Sequence, residues 1–276
     1  MARPNTISVE KLARLLGTPA GPALVDVRTD DDFGADPRLI PGAMRRPWSG
    51  VAEWAADFRG RSVITICQDG QSLSHGVAAW LRCAGLSAEA LDGGVSAWTE
   101  ANQPRVPVAK LPSRDARGRT LWVTRVRPKV DRIACAWLIR RFVDPQAVFL
   151  FVPPSEVAGT AERFGAAPFD IDDPGVFWSH RGPLCTFDVM IEEFGLAAEP
   201  LLRLATLVRG ADTARLDLAP EAAGLLAACL GLSRIYADDL EQLEAGMTLY
   251  DAFYRWCREA TAEIHNWPTN KPRSGI

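Results

Sequence analysis

Apolar residues in the first hundred positions follow two different spacings. Val9, Leu12, Leu15 and Leu16 recur at helical intervals behind Ser8, a residue suited to capping, and Gly17 closes the pattern. Residues 23–27 and 62–66 are short apolar runs, the second rich in β-branched side chains, and both predict buried strands. Residues 51–58 read as helical. Past Cys67 comes a loop rich in Gly and Ser, then a helical pattern through Val77, Trp80 and Leu81 that stops at Gly85. Residues 88–91 form a further strand candidate, and Gly93-Gly94 leads into a short helix around Trp98. Strands alternating with helices predict an α/β unit, a parallel sheet flanked by helices.

The character of the chain changes after this point. Residues 103–119 are Pro-rich and basic, which suits a linker. The expected division is therefore a domain over 1–105, a linker over 106–119, a second domain over 120–267 and a flexible tail over 268–276. In the second domain, residues 121–126 and 148–152 are strand-like. Asp131 is placed to cap a helix through Ile133, Trp137 and Leu138 to about Phe142, with Asp144-Pro145 as the stop. Helices are expected over 200–209, 220–230, 238–244 and 248 to about 264, making this half a mainly helical α+β unit.

Composition sets broad limits. The 276 residues are 47% hydrophobic and 24% charged, enough apolar material for two cores. The formal net charge of −3 does not call for nucleic acid or an anionic membrane as partner. No stretch approaches the ~20 apolar residues of a membrane span, and residues 1–10 do not read as a signal peptide. The cytoplasm is the expected location. The six cysteines are scattered with no CxxC pair, so reduced thiols are expected rather than a disulfide framework or a thiolate zinc site. Charge is locally uneven. Residues 114–141 hold nine Arg or Lys against two acids, an excess that could hold an anion.

The first chemical constellation is strand, Cys67, the loop Gln68-Asp69-Gly70-Gln71-Ser72, then helix. This order places a thiol at the carboxyl edge of a parallel sheet, where α/β proteins bind ligands. Loop amides and the helix N-terminus can stabilise a thiolate or persulfide there. Gly70 lets the backbone curl around the sulfur. His75 lies just past the loop. Together with Asp26-Val27-Arg28, Ile40-Pro41-Gly42-Ala43 and Leu91-Asp92-Gly93-Gly94 with Trp98, this loop resembles the rhodanese family over about residues 5–103. The resemblance implies that Cys67 accepts a sulfane sulfur and passes it on, with a sulfur donor and a thiol acceptor as partners and no cofactor. No Arg or Lys stands among the five loop residues, and Asp69 would repel a dianion. Persulfide transfer is thus favoured over thiosulfate turnover.

The second half offers other chemistry. Arg127, Lys129 and Arg132 cluster at a strand end and helix start, an arrangement suited to oxyanions. His180 lies close to Cys185 and Asp188. Asp212 ends the run Arg209-Gly210-Ala211-Asp212, and His265 lies near the C-terminus. No HxxxH or HxH spacing exists. A metal ion of unknown identity is expected, if anywhere, between His180 and His265 with Asp188 or Asp212 as oxygen donors. The stretches Trp122–Arg125, Asp131–Cys135 with Trp137–Phe142, Pro168-Phe169-Asp170, Ser179–Gly182, Cys185–Asp188, Arg209–Thr213, Gly231–Ser233 and Tyr250-Asp251 resemble the C-terminal domain of the chromate resistance protein ChrB over about residues 120–267. That resemblance implies chromate resistance or chromate sensing, with chromate as a possible ligand of the basic cluster. The alternative is a non-enzymatic, chromate-responsive transcriptional regulator, which the net charge and the lack of a helix-turn-helix pattern disfavour.

Overall fold

A computed structural model describes residues 5–263. In the N-terminal half, β1 (Thr6–Ile7) leads to α1 (Val9–Leu15), whose Ser8 cap accepts a hydrogen bond from the Lys11 amide. Then follow β2 (Ala23–Asp26), α2 (Asp30–Ala35), β3 (Arg38–Leu39), β4 (Ala43–Arg45) and α3 (Val51–Trp54), which continues as a 3-10 turn to Phe58. The unit is completed by β5 (Val63–Ile66), α4 (Ser72–Cys83), β6 (Ala88–Leu91) and α5 (Gly94–Glu100). The described strands β1-β6-β5-β2-β4 form one parallel sheet. Its two faces carry separate apolar clusters. One gathers Val25, Trp54, Phe58, Val77 and Leu81, the other Leu12, Leu24, Ile64 and Trp98. The expected parallel sheet with helices on both faces is therefore what forms.

The basic stretch between the halves is ordered. Its strand β7 (Val106–Pro107) pairs antiparallel with β3, and a short turn over Val108–Lys110 follows. The second half opens with β8 (Leu121–Arg125), α6 (Val130–Leu138), β9 (Val148–Val152), α7 (Val157–Phe164) and β10 (Ala167–Pro168). The order β10-β8-β9 is parallel. Four helices follow: α8 (Thr186–Glu193), α9 (Glu199–Asp212), α10 (Ala222–Ile235) and α11 (Asp239–Glu259). The half is largely helical, as expected. Its core surrounds α6, whose Trp137 is fully buried among Phe142, Phe187, Tyr250 and Tyr254.

Two local expectations are corrected. Residues 238–244 and 248 to about 264 are not separate helices, because α11 runs unbroken through Gly246. That glycine lies against α6 so closely that a Cβ would come within 2.5 Å of Ile133 Cγ2. It is a packing contact, not a helix break. Asp131 does not cap α6. Lys129 holds the N-cap position, and the Asp131 carboxylate serves another helix. The expected flexible tail at 268–276 lies outside the described residues.

The halves touch directly. The Gly42 amide donates to the Phe142 carbonyl at 2.7 Å, and Arg258 donates to the Leu16 carbonyl. Gly17, at φ +70°, abuts the Phe142 ring.

Candidate functional sites

Cys67 follows β5 at the carboxyl edge of the first sheet and is 5% exposed. Its Sγ donates to Ser74 Oγ at 3.1 Å, in the first turn of α4, and Ser74 Oγ donates to the Gln71 carbonyl. The loop 68–71 is clasped by the start of α5. Val95 and Ser96 amides donate to the Cys67 and Gln68 carbonyls at 3.0 Å each. Gly70, at φ +62°, and Gly94, at φ +59°, meet backbone to backbone. A Cβ on Gly70 would lie 2.4 Å from the Gly93 nitrogen, and one on Gly94 would lie 2.3 Å from the Cys67 carbonyl oxygen. Only glycine fits at either position. The carbonyls of Cys67 and Gln68 are thus bound away on α5. Gln68 also donates from Nε2 to Ser96 Oγ, while Asp69, Gln71 and Ser72 are exposed.

The Asp26-Val27-Arg28 motif is structural. Arg28 is 1% exposed, pairs with Asp26 at 2.6 Å and donates to the Asp36 and Arg38 carbonyls. It fixes the turn from α2 into β3.

The second site gathers four side chains from four places. Asp131 stands in the first turn of α6, Asp170 just past β10, His180 on the loop before α8, and Asp212 at the end of α9. His180 Nε2 lies 3.3 Å from Asp131 Oδ2, 3.4 Å from Asp170 Oδ1 and 3.5 Å from Asp212 Oδ2. The site lies beyond the carboxyl ends of β8 and β10, the usual ligand-binding edge of parallel sheets. Asp131 is almost fully buried because its two oxygens accept the Thr186 and Phe187 amides, at 2.8 and 3.0 Å, and so cap α8. Asp170 adopts φ +49°, left-handed backbone that favours glycine, and accepts from Arg132 Nε at 2.7 Å and Thr186 Oγ1 at 3.2 Å.

Electrostatics follow from this crowding. Hydrogen bonds to Asp131 and Asp170 raise the His180 imidazole to about 10. Burial, with the neighbouring Asp131 and Asp170 charges, pushes Asp212 up to about 6. Burial also raises Asp131, while the His180 hydrogen bond and Arg132 outweigh burial at Asp170 and hold it near 2. Asp131, Asp170 and His180 offer ligand atoms within 4.8 Å of one another and could hold a metal, with Asp212 beside His180.

Of the residues expected as metal ligands, the structure brings His180 and Asp212 together. Asp188 is elsewhere. It pairs with Arg209 at 2.6 Å and accepts from the Cys185 amide and thiol at the start of α8. His265 lies outside the described residues. Asp131 and Asp170 were not singled out. Their signal was position: each closely follows a strand that enters one parallel sheet. The trio Arg127, Lys129 and Arg132 does not converge. Arg127 donates to the Ser233 and Tyr236 carbonyls at the end of α10, Arg132 is taken by Asp170, and Lys129 is exposed.

Comparison with known proteins gives two family matches. Residues 8–101 match the family model of the rhodanese-like domain, and residues 122–257 match that of the ChrB C-terminal domain. Protein ChrB of Cupriavidus metallidurans is 35% identical over 162 residues, covering 55% of this chain and 46% of that protein. The chain thus spans about half the length of this curated relative. A rhodanese-like domain protein from Staphylococcus aureus is 26% identical over 34% of this chain and 90% of its own, with TM-score 0.31. A thiosulfate sulfurtransferase from Pseudomonas aeruginosa is 26% identical over 38% of this chain and 20% of its own, with TM-score 0.34. Among the described residues, no helix is long and apolar enough to cross a membrane.

Proposed function

From a chain that joins a rhodanese-like domain to a ChrB C-terminal domain, we propose a protein of the chromate-resistance type that carries sulfane sulfur on Cys67 and binds a small ion in its second domain. The observation that supports the first part is the setting of Cys67, at a strand end under the first turn of α4, in a loop whose carbonyls are held by α5. The reaction needs no net oxidation. The Cys67 thiolate attacks the outer sulfur of a donor persulfide, the donor S–S bond breaks, and a thiolate leaves. An acceptor thiolate then attacks the outer sulfur of the Cys67 persulfide and regenerates Cys67. Ser74 Oγ, beside Sγ, holds the sulfur in place.

The loop, with Asp69 and without a cation, favours a thiol-borne persulfide over thiosulfate as donor. For the second domain, the convergence of donors around His180 supports a cation more than an oxyanion, since Arg127 and Arg132 are spent inside the fold. Sulfur transfer from a small persulfide to a thiol acceptor tests the reading. Wild type should turn over and Cys67→Ala should fall to the uncatalysed rate. Equal rates would remove the sulfur-carrier role.

A further inference from the structure

We propose that Asp131, Asp170, His180 and Asp212 form the binding site of a hard divalent cation, a proposal that rests on the reading of the second domain as ion-binding and gives its ion a sign and a place. Ligand atoms on an octahedral ion with bonds of about 2.1 Å stand about 3 Å apart. The separations of 3.3, 3.4 and 3.5 Å between His180 Nε2 and the three carboxylates are close to that spacing. Donor atoms of Asp131, Asp170 and His180 all fall within 4.8 Å of one another. Asp212, whose Oδ2 lies 3.5 Å from His180 Nε2, stands beside this trio as the fourth donor.

A separate observation comes from the end of β8. Thr124 is fully buried, and its Oγ1 has no hydrogen-bond partner. It is one residue past the Val123–Pro168 pair that joins β8 to β10. The pleat of β8 puts it on the same face as Trp122, where the Phe169 and Trp178 rings pack. Asp170 directly follows Phe169, and His180 comes two residues after Trp178. Thr124 is thus the last side chain on that face of β8, at the end of the sheet beyond which the four donors meet. An unsatisfied buried hydroxyl is destabilising. A water on the ion would satisfy it, as outer contacts of metal sites commonly do.

Charge points the same way. Three carboxylates converge, and the cations against them are Arg132, which pairs with Asp170, and His180 when protonated. Once His180 gives up its proton to become a ligand, two negative charges are left over in a largely buried place, where unpaired charge is costly, and a divalent ion balances them.

The donor set names the class. Three oxygens and one imidazole suit a hard ion of the manganese kind. Two thiols lie close by, and neither serves as a soft ligand. Burial raises both the Cys135 and the Cys185 thiol, and each hydrogen bonds to a carboxylate, Asp131 and Asp188 respectively. Four protein donors also exceed the one or two carboxylates with which magnesium is usually held. His180 is 41% exposed at its side chain, so the site opens to solvent on one side.

The test uses the full-length protein, stripped by a chelator and titrated with Mn2+, with binding read from loss of the free-ion paramagnetic resonance signal. Wild type should bind one equivalent. Asp212→Asn changes one exposed-side ligand and should weaken binding about tenfold or more, with circular dichroism and thermal midpoint confirming that it folds. Asp217→Asn, on an exposed ion pair with Arg215, should bind as wild type does. Equal Mn2+ affinity in wild type and folded Asp212→Asn would overturn the site. A parallel titration with sulfate separates the two readings. Sulfate binding without Mn2+ binding would overturn the cation and leave an ion-binding domain. Binding of neither would overturn both.

Discussion

At the scale of single residues, the Cys67 loop is the most demanding stretch of the chain. Gly70 and Gly94 are held at positive φ with no room for a Cβ. Gly94→Ala should therefore cost roughly 3 kcal/mol in urea unfolding and abolish sulfur transfer. Gly76 is the contrast. It is exposed in the middle of α4 with nothing near its Cβ direction. Gly76→Ala should stabilise the protein by about 1 kcal/mol, from helix propensity alone, in the same assay. Cys67 was legible in the sequence because loop, glycines and neighbouring motifs all lie within short reach of it. His180 and Asp212 were legible as residue types in suggestive places. Their partners were not. Asp131 read as a helix cap because it stands at a helix start, and it is a cap, though of α8, 55 residues further on in the chain. Only the tertiary fold could reveal that, since no local spacing links residues 131, 170, 180 and 212.

At the scale of elements, the loop bearing His180 is tied back to the connecting segment. Glu193, at the end of α8, pairs with Lys110 and with Arg181, each at 2.6 Å. These two cations hold its carboxyl below the usual range, Lys110 first. A lowered carboxylate contributes stability above its unfolded value, near 4.5, and loses it as pH falls through its folded value. Glu193→Gln should thus lower the urea midpoint at pH 7, and the difference from wild type should shrink as the pH falls below about 4.5 and through the folded value. A difference that persisted unchanged in acid would remove the ion-pair account. Helix merging was less legible than helix presence. The break expected between two C-terminal helices spans Gly246, whose role is to let α11 approach Ile133 on α6. A glycine serving a contact and a glycine ending a helix look alike until the partner is known. By contrast, β2 and β5 were legible because a fully covered sheet needs short buried apolar runs, and those are not mistaken for an amphipathic surface.

At the scale of the whole molecule, the two halves are joined by contacts as well as by chain. The Gly42–Phe142 hydrogen bond, the Arg258–Leu16 hydrogen bond and the fit of Gly17 against the Phe142 ring lie along one seam. A Cβ on Gly17 would come within 2.2 Å of Phe142 Cζ, so the seam has no slack there. Gly17→Leu should uncouple the halves, turning one thermal transition into two by calorimetry. A single transition at the wild-type midpoint would show that the contact carries no coupling. The seam was invisible in the sequence, where the basic, Pro-rich stretch suggested a simple spacer. Its pairing of β7 with β3 depends on a strand of two residues, too short to leave a pattern.

The central claim is that Cys67 carries a transferable sulfur. The most direct measurement is the intact mass of the protein after exposure to a small persulfide and removal of excess donor. Wild type should gain the mass of one sulfur atom, lose it on addition of a thiol acceptor, and show no gain when Cys67 is replaced by Ser. A wild-type protein that gains nothing, or a Cys67→Ser variant that gains and releases the same sulfur, would contradict the account.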